Sequence, residues 1–414
     1  MKRLSLFLLL FALIPTLTFA QDQPSDPVDA PTNIFLAMLQ RVPATLDNRS
    51  DLYFSDRQII ETAYPDVEIP ATFAEFDALQ TGERNAWFQA IFNVHTPTAR
   101  YLLRMATMNS VIGIDYFDID QELSYGMPPT GALILQGEFD TDAVQNAFSN
   151  RNYQPIDDLL WCLAGDCTTG QNTDFQTIDH ANPFGGELGR NQPIVIDDNW
   201  IASSTTPQQL GYTPTGEPLA FNSLGEMPDV IDAVNAVNSL GILIQASLWD
   251  GARIGSFTDM GSLLDPNVDQ DALTVDTLEG IARYSLVVLG DVVTDDEQIA
   301  VVAFTFDSPE SAEASLQEMV NRLETLSSHR GQPFIEAIEQ RLATVSTQII
   351  AGDVYSVGLV LFSTPKITYE QLLDPDLSPT EVTAPSLLYN WLISQIIQQD
   401  LIWMAYDAAV ITSD

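Results

Sequence analysis

Two distant segments carry the same local instruction, and that repetition constrains the fold more than any other feature of the chain. Gly131 to Phe139, GALILQGEF, is an apolar run bounded by Pro128-Pro129-Thr130 and Asp140-Thr141-Asp142, which predicts a largely buried strand. Asp140 or Thr141 can accept the free amide hydrogens of the next turn, and Asp142 suits the positive end of a helix dipole. Val144, Ala147 and Phe148 add an apolar stripe, so a helix follows directly. Ile299 to Leu323 repeats the pattern, with Phe306-Asp307 at the strand end, Ser308 as cap and Pro309 at the first helical position. A strand running straight into a capped helix, met twice, predicts an α+β chain of two α+β lobes, consistent with a duplicated strand-helix-strand unit.

The surrounding periodicities supply further elements. IFLAMLQRVP from Ile34 reads as a short helix ended by Pro43, and Leu52 to Pro65 as a strand followed by a helix. From Thr72 to Met108, Phe73, Phe76, Leu79, Trp87, Ile91, Phe92, Leu102, Leu103 and Met105 recur at helical spacing, with breaks expected at Gly82 and Pro97. After Tyr153 turn residues come at short intervals, and PIVID and WIASST then form a strand pair about Asp197-Asp198-Asn199. Pro228 to Val237 is helical and the run from Ile242 is a strand. Ala282 to Phe362 reads β-β-α-β-β in antiparallel pairing, with turns near Thr294-Asp295-Asp296 and Ala351-Gly352-Asp353. Ser386 to Asp407 is an amphipathic helix expected to dock on the body through Leu388, Leu392, Ile396 and Ile397.

The expected organisation is a signal peptide at 1–20, then a flexible, acidic, Pro-rich leader at 21–33. A helical segment plus the first α+β lobe fills 34–225, an acidic connecting segment 226–280, the second lobe 281–366, and a loop with the C-terminal helix 367–414. The first assignment rests on Lys2 and Arg3, the apolar run LSLFLLLFALIPTL, and Thr18-Phe19-Ala20 with small residues where a signal peptidase reads. That run is shorter than the roughly 20 residues a spanning helix needs, so cleavage after Ala20 is expected rather than a transmembrane anchor. No Cys follows the cleavage site, which excludes a lipoprotein there. The expected location is secreted or extracytoplasmic.

Charge narrows the partners. The chain has 16 Lys and Arg against 57 Asp and Glu, a net charge of −41, and without the signal peptide Lys366 is its only lysine. Such a surface repels phosphate, so nucleic acid and anionic lipid are excluded as principal partners. Hydrophobic residues make up 45%, with 20 Phe, 12 Tyr and 6 Trp, enough for packed cores rather than a disordered acidic tail.

Few residues offer chemistry. His95, His180 and His329 fall in no zinc-binding spacing, and no G-x-S-x-G elbow is present. Asp115, Asp118 and Asp120 in GIDYFDID are candidate paired carboxylates for acid-base hydrolysis, or else caps and turns between buried Ile114, Phe117 and Ile119. Asp265, Asn267, Asp269, Asp271 and Asp276 set oxygen ligands at the alternate positions of a calcium loop. Gln270 stands where the sharp turn wants Gly, and Asp276 is shorter than the usual bidentate Glu. Calcium is therefore the one cofactor the sequence suggests, and an acidic linker is the competing reading. Cys162 and Cys167, in WCLAGDC, are expected to form a short-loop disulfide in an exported chain.

YFSDRQIIETAYP, GIDYFDID and GALILQGEFDTDAVQNAF, between Tyr53 and Phe148, together resemble an uncharacterised group of secreted bacterial proteins with no assigned activity. That resemblance implies an exported bacterial α+β protein and lends no functional residues. Three readings of function follow: an exported non-catalytic binding or interaction protein of unknown ligand or protein partner, an extracytoplasmic carboxylate-dependent hydrolase, and a calcium-stabilised structural protein. Oligomeric state is left open by the sequence.

Overall fold

The computed structural model describes residues 33–92, 97–127, 129–255, 279–328, 330–373, 386–398 and 400–406. Residues 33–414 form one compact unit. Its strands are β1 (Leu52–Asp56), β2 (Ile119–Tyr125), β3 (Ala132–Gly137), β4 (Tyr153–Pro155), β5 (Leu160–Leu163) and β6 (Ile194–Ile196). They continue with β7 (Trp200–Ser204), β8 (Ile242–Asp250), β9 (Leu286–Val293), β10 (Glu297–Phe306), β11 (Thr344–Ala351) and β12 (Ser356–Pro365). All twelve join one antiparallel sheet in the order β11-β12-β10-β9-β8-β1-β2-β3-β7-β6-β5-β4. The chain is α+β, as its periodicities predict.

Read outward from the β8–β1 seam, the order repeats one scheme. β2 and β3 form a hairpin, a helix at Thr141–Asn150 follows, and the chain returns so that β7 pairs with β3. β9 and β10 form a hairpin, a helix at Pro309–Thr325 follows, and β12 returns to pair with β10. Both predicted caps are in place: Asp140 Oδ1 accepts from the amide of Ala143 at 3.0 Å, and Ser308 Oγ from that of Ser311 at 3.2 Å. The strands of the two expected lobes thus lie edge to edge in one sheet, with β1 paired antiparallel to β8.

Alternation along the strands divides the core. Leu52, Phe54, Leu123, Ala246, Leu248, Val288, Val301 and Leu359 face one way, where the helix Pro228–Asn238 covers them with Val230, Ala233, Val234 and Val237. The opposite face carries two cores. One, under the helices of residues 59–112 and Thr141–Asn150, holds Ile60, Trp87, Met108, Ile112, Leu135 and Phe148. The other, under Pro309–Thr325 and the helix Leu387–Ile397, holds Phe304, Leu316, Met319, Leu323, Phe362, Leu392 and Trp403. Each large apolar side chain removed from water there contributes roughly 1.5–3 kcal/mol.

Several expectations shift. Gly82 does not break the helix, which runs Thr81–Phe92 with Gly82 in its first turn; the chain bends earlier, at Leu79, where ψ turns to 144°. The C-terminal helix stops at Ile397 rather than Asp407, and Trp403 and Tyr406 pack beyond it as irregular chain. β2, β4 and β5 lie where alternation signalled no strand. The cysteines form the expected disulfide, with Cα atoms 5.0 Å apart, tying β5 to the turn after it. The calcium-loop residues Asp265, Asn267, Asp269, Asp271 and Asp276, with His95 and His329, lie outside the described residues.

Candidate functional site

The expected carboxylates of GIDYFDID serve the backbone. Asp115 and Asp118 are brought together as reciprocal caps of the single turn Tyr116–Asp118: Asp115 Oδ1 accepts from the Phe117 amide at 3.1 Å, and Asp118 Oδ2 accepts from the Asp115 amide at 3.0 Å. Asp120 sits at a bulge where the β2–β3 register shifts, and its carbonyl accepts from the Arg57 amide at 2.7 Å. Burial raises Asp118 and Asp120 above the usual carboxylate range. They line neither of the cavities described below.

Buried polar groups gather instead on the sheet face that carries two cores. The register sets Glu122 beside Ser55, Ser55 beside Gln245, and Gln245 beside Asp291, across four adjacent strands. On the same strand Leu289 belongs to one core and Val293 to the other, so Asp291 marks the line where they meet. Glu122, with 0% exposure, accepts from the Thr98 amide at 2.8 Å and its hydroxyl at 2.5 Å, and pairs with Arg57 at 2.9 Å. Arg57 also lies 4.1 Å from the Tyr116 ring centroid and donates to the Tyr116 carbonyl. Asp291, 1% exposed, accepts from the side-chain amides of Gln245 at 2.9 Å and Gln298 at 3.2 Å. Burial pushes its carboxyl up, and the hydrogen bonds from Gln245 and Gln298 offset part of that.

An open cavity of about 340 Å³ lies beside the β9–β10 turn. Four elements build it. The helix Ile59–Ala63 ends at Tyr64, the β9–β10 turn brings Asp295 and Asp296, the end of β12 brings Lys366 and Ile367, and the helix Tyr369–Leu373 closes the wall. Pairing of Glu297 with Pro365 sets the turn beside Lys366, whose amide donates to the Asp296 carbonyl at 2.9 Å. The Lys366 ammonium rests 5.5 Å from the Tyr64 ring centroid. Among the described residues no carboxylate reaches Lys366 at ion-pair distance, although Asp66, Asp295, Asp296 and Glu370 share its cavity. The Tyr64 hydroxyl is buried without a hydrogen-bond partner among the described residues. Burial first, then the charge of Asp291, holds that phenol well above its ordinary range.

Sequence reasoning singled out Lys366 only as a lone lysine and missed Asp291, Gln245 and Gln298. Their signal is a single polar residue inside an otherwise apolar strand, as in LVVLGDVV. Among the described residues no group of three or more His, Cys, Asp or Glu is placed to hold a metal ion, and no helix is long and apolar enough to cross a membrane.

No family model and no curated protein matches this chain. Solved structures similar to it include crystal forms of TP0453, a T. pallidum protein. Form III is 7% identical with a TM-score of 0.28, covering 81% of this chain and 95% of that one. Form I is 8% identical at 0.28, covering 80% and 96%, and form IV 8% identical at 0.26, covering 81% and 97%. Likeness at that level carries no further argument.

Proposed function

We propose that this is an exported, non-catalytic binding protein whose Tyr64–Lys366 cavity takes a small zwitterion of the amino-acid class. The observation that carries the reading is the charge layout: one ammonium, free of ion pairs among the described residues, in a cavity that also holds Asp66, Asp295, Asp296 and Glu370. A ligand carboxylate is matched by Lys366, a ligand ammonium by the carboxylates, and an apolar side chain by Val67, Ile367 and Leu372. The buried Tyr64 hydroxyl, without a hydrogen-bond partner among the described residues, adds a group that a bound molecule would satisfy. Export is supported by the leader sequence and by the disulfide.

Titration calorimetry of Gln21 to Asp414 against free amino acids and their methyl esters tests it. At least one free amino acid is expected to bind saturably, and its ester, lacking the carboxylate, to bind about tenfold more weakly or worse. Lys366→Gln should produce a similar loss for the free acid and leave the ester unchanged. Equal affinity for acid and ester, or no binding by any amino acid, would overturn the reading.

A further inference from the structure

A second cavity, of about 180 Å³, opens between the segment 328–341 and the helix Leu387–Ile397. Arg330 and Arg341 share it with Trp391, Gln395, Gln398 and one carboxylate, the buried Asp400, so two cations face one acid in a chain carrying 57 acidic residues against 16 basic ones. The Arg341 guanidinium is held in place twice, by a hydrogen bond from Nη1 to the Ala337 carbonyl and by its position 5.1 Å from the Trp391 ring centroid. Its Nε is buried with no partner among the described residues, and burial lowers the group's pKa. Gln395 is 9% exposed, and its Oε1 is likewise buried and unpartnered.

Unpaired buried polar atoms are costly and uncommon. Here the residues that carry an unpaired donor on a cation and an unpaired neutral acceptor, Arg341 and Gln395, line one small cavity, and the remedy for both is one molecule with an anionic acceptor and a hydroxyl. The volume is below that of a drug-sized site, so the molecule must be small. We propose that this cavity binds a small hydroxylated carboxylic acid of the sugar-acid class, its carboxylate on the Nε edge of Arg341 with Arg330 at the rim, and a hydroxyl donating to Gln395 Oε1. Trp391 acts as a positioning residue that fixes the guanidinium plane. This site shares no residue with the Tyr64–Lys366 cavity and is independent of it.

The test is calorimetry on Gln21 to Asp414 with glucuronate, glucose and acetate as probes. Glucuronate should bind, and glucose, lacking the charge, and acetate, lacking the hydroxyls, should each bind about tenfold more weakly or worse. Arg341→Gln should remove glucuronate binding. Because Arg341 also packs on Trp391, Gln395→Leu serves as the second variant; it should weaken glucuronate about tenfold and leave acetate unchanged. Lys366→Gln should have no effect. No binding by glucuronate, full binding in both Arg341→Gln and Gln395→Leu, or loss in Lys366→Gln would each overturn the proposal.

Discussion

Glu122 and Asp291 are both buried carboxylates on one sheet face, and they are accommodated differently. Glu122 has a cation, Arg57, and two bonds from Thr98. Asp291 has two carboxamides and, among the described residues, no ion pair. Removing Arg57's charge therefore leaves the buried Glu122 carboxylate without its cation, whereas neutralising Glu122 leaves Arg57 with the Tyr116 carbonyl and ring. Breaking a buried pair from one side costs about 3–5 kcal/mol, so Arg57→Met should lower the urea-unfolding free energy by that much. Glu122→Gln, which keeps an acceptor for Thr98, should cost less. Equal losses from the two variants would show that the pair's charge is not what holds this part of the sheet.

Among elements, the β2–β3 ladder is tightly constrained. A Cβ built on Gly137 would lie 1.9 Å from the Asp118 carbonyl oxygen, beside the bulge that shifts the register between Ile119 and Gln121. Gly137→Ala must push the two strands apart or move the bulge, and should destabilise by about 1–3 kcal/mol in thermal or urea melts. The Cys162–Cys167 loop is short, so on the chain-entropy account its removal by Cys162→Ser with Cys167→Ser should cost about 2 kcal/mol. A double variant with unchanged melting would mean that β4, β5 and the turn between them and β6 are held by packing alone.

These elements also show what the sequence discloses. β3, β10, their capped helices and the hairpin turns were legible because apolar runs end at Asp140 and Ser308, which have one physical use there. β2 was not, because DQELSY carries Gln121, Glu122 and Ser124, and burial of the first two depends on Asp56, Arg57 and Thr98, residues distant in sequence. The same holds for the cavities. Lys366 was conspicuous as a lone lysine, yet its placement beside Tyr64 needs the pairing of β10 with β12.

At the scale of the whole molecule, charge and burial act in one direction. Asp51, Asp56, Asp118, Asp120 and Asp291 all have carboxyls raised above their ordinary value, in each case chiefly by burial. Asp166, held low by Thr168, is fully exposed and weighs little against them. A carboxyl raised on folding binds its proton more readily in the folded state than in the unfolded one. Its favourable contribution is complete below the unfolded value and is lost as pH rises through the folded one, so stability falls with rising pH across that window. The net charge of −41 adds repulsion that is relieved in the same direction as carboxylates protonate. The melting temperature should therefore rise as the pH is lowered toward the ordinary carboxylate value, and Asp291→Asn should flatten part of that rise. Added salt screens the repulsion without protonating anything. It should raise the melting temperature at neutral pH and do less once the pH reaches the carboxylate range, where fewer charges remain to be screened. A melting temperature that falls on acidification, with salt without effect at either pH, would mean that ion pairs such as Arg49–Asp229 and Arg57–Glu122 outweigh burial and repulsion together.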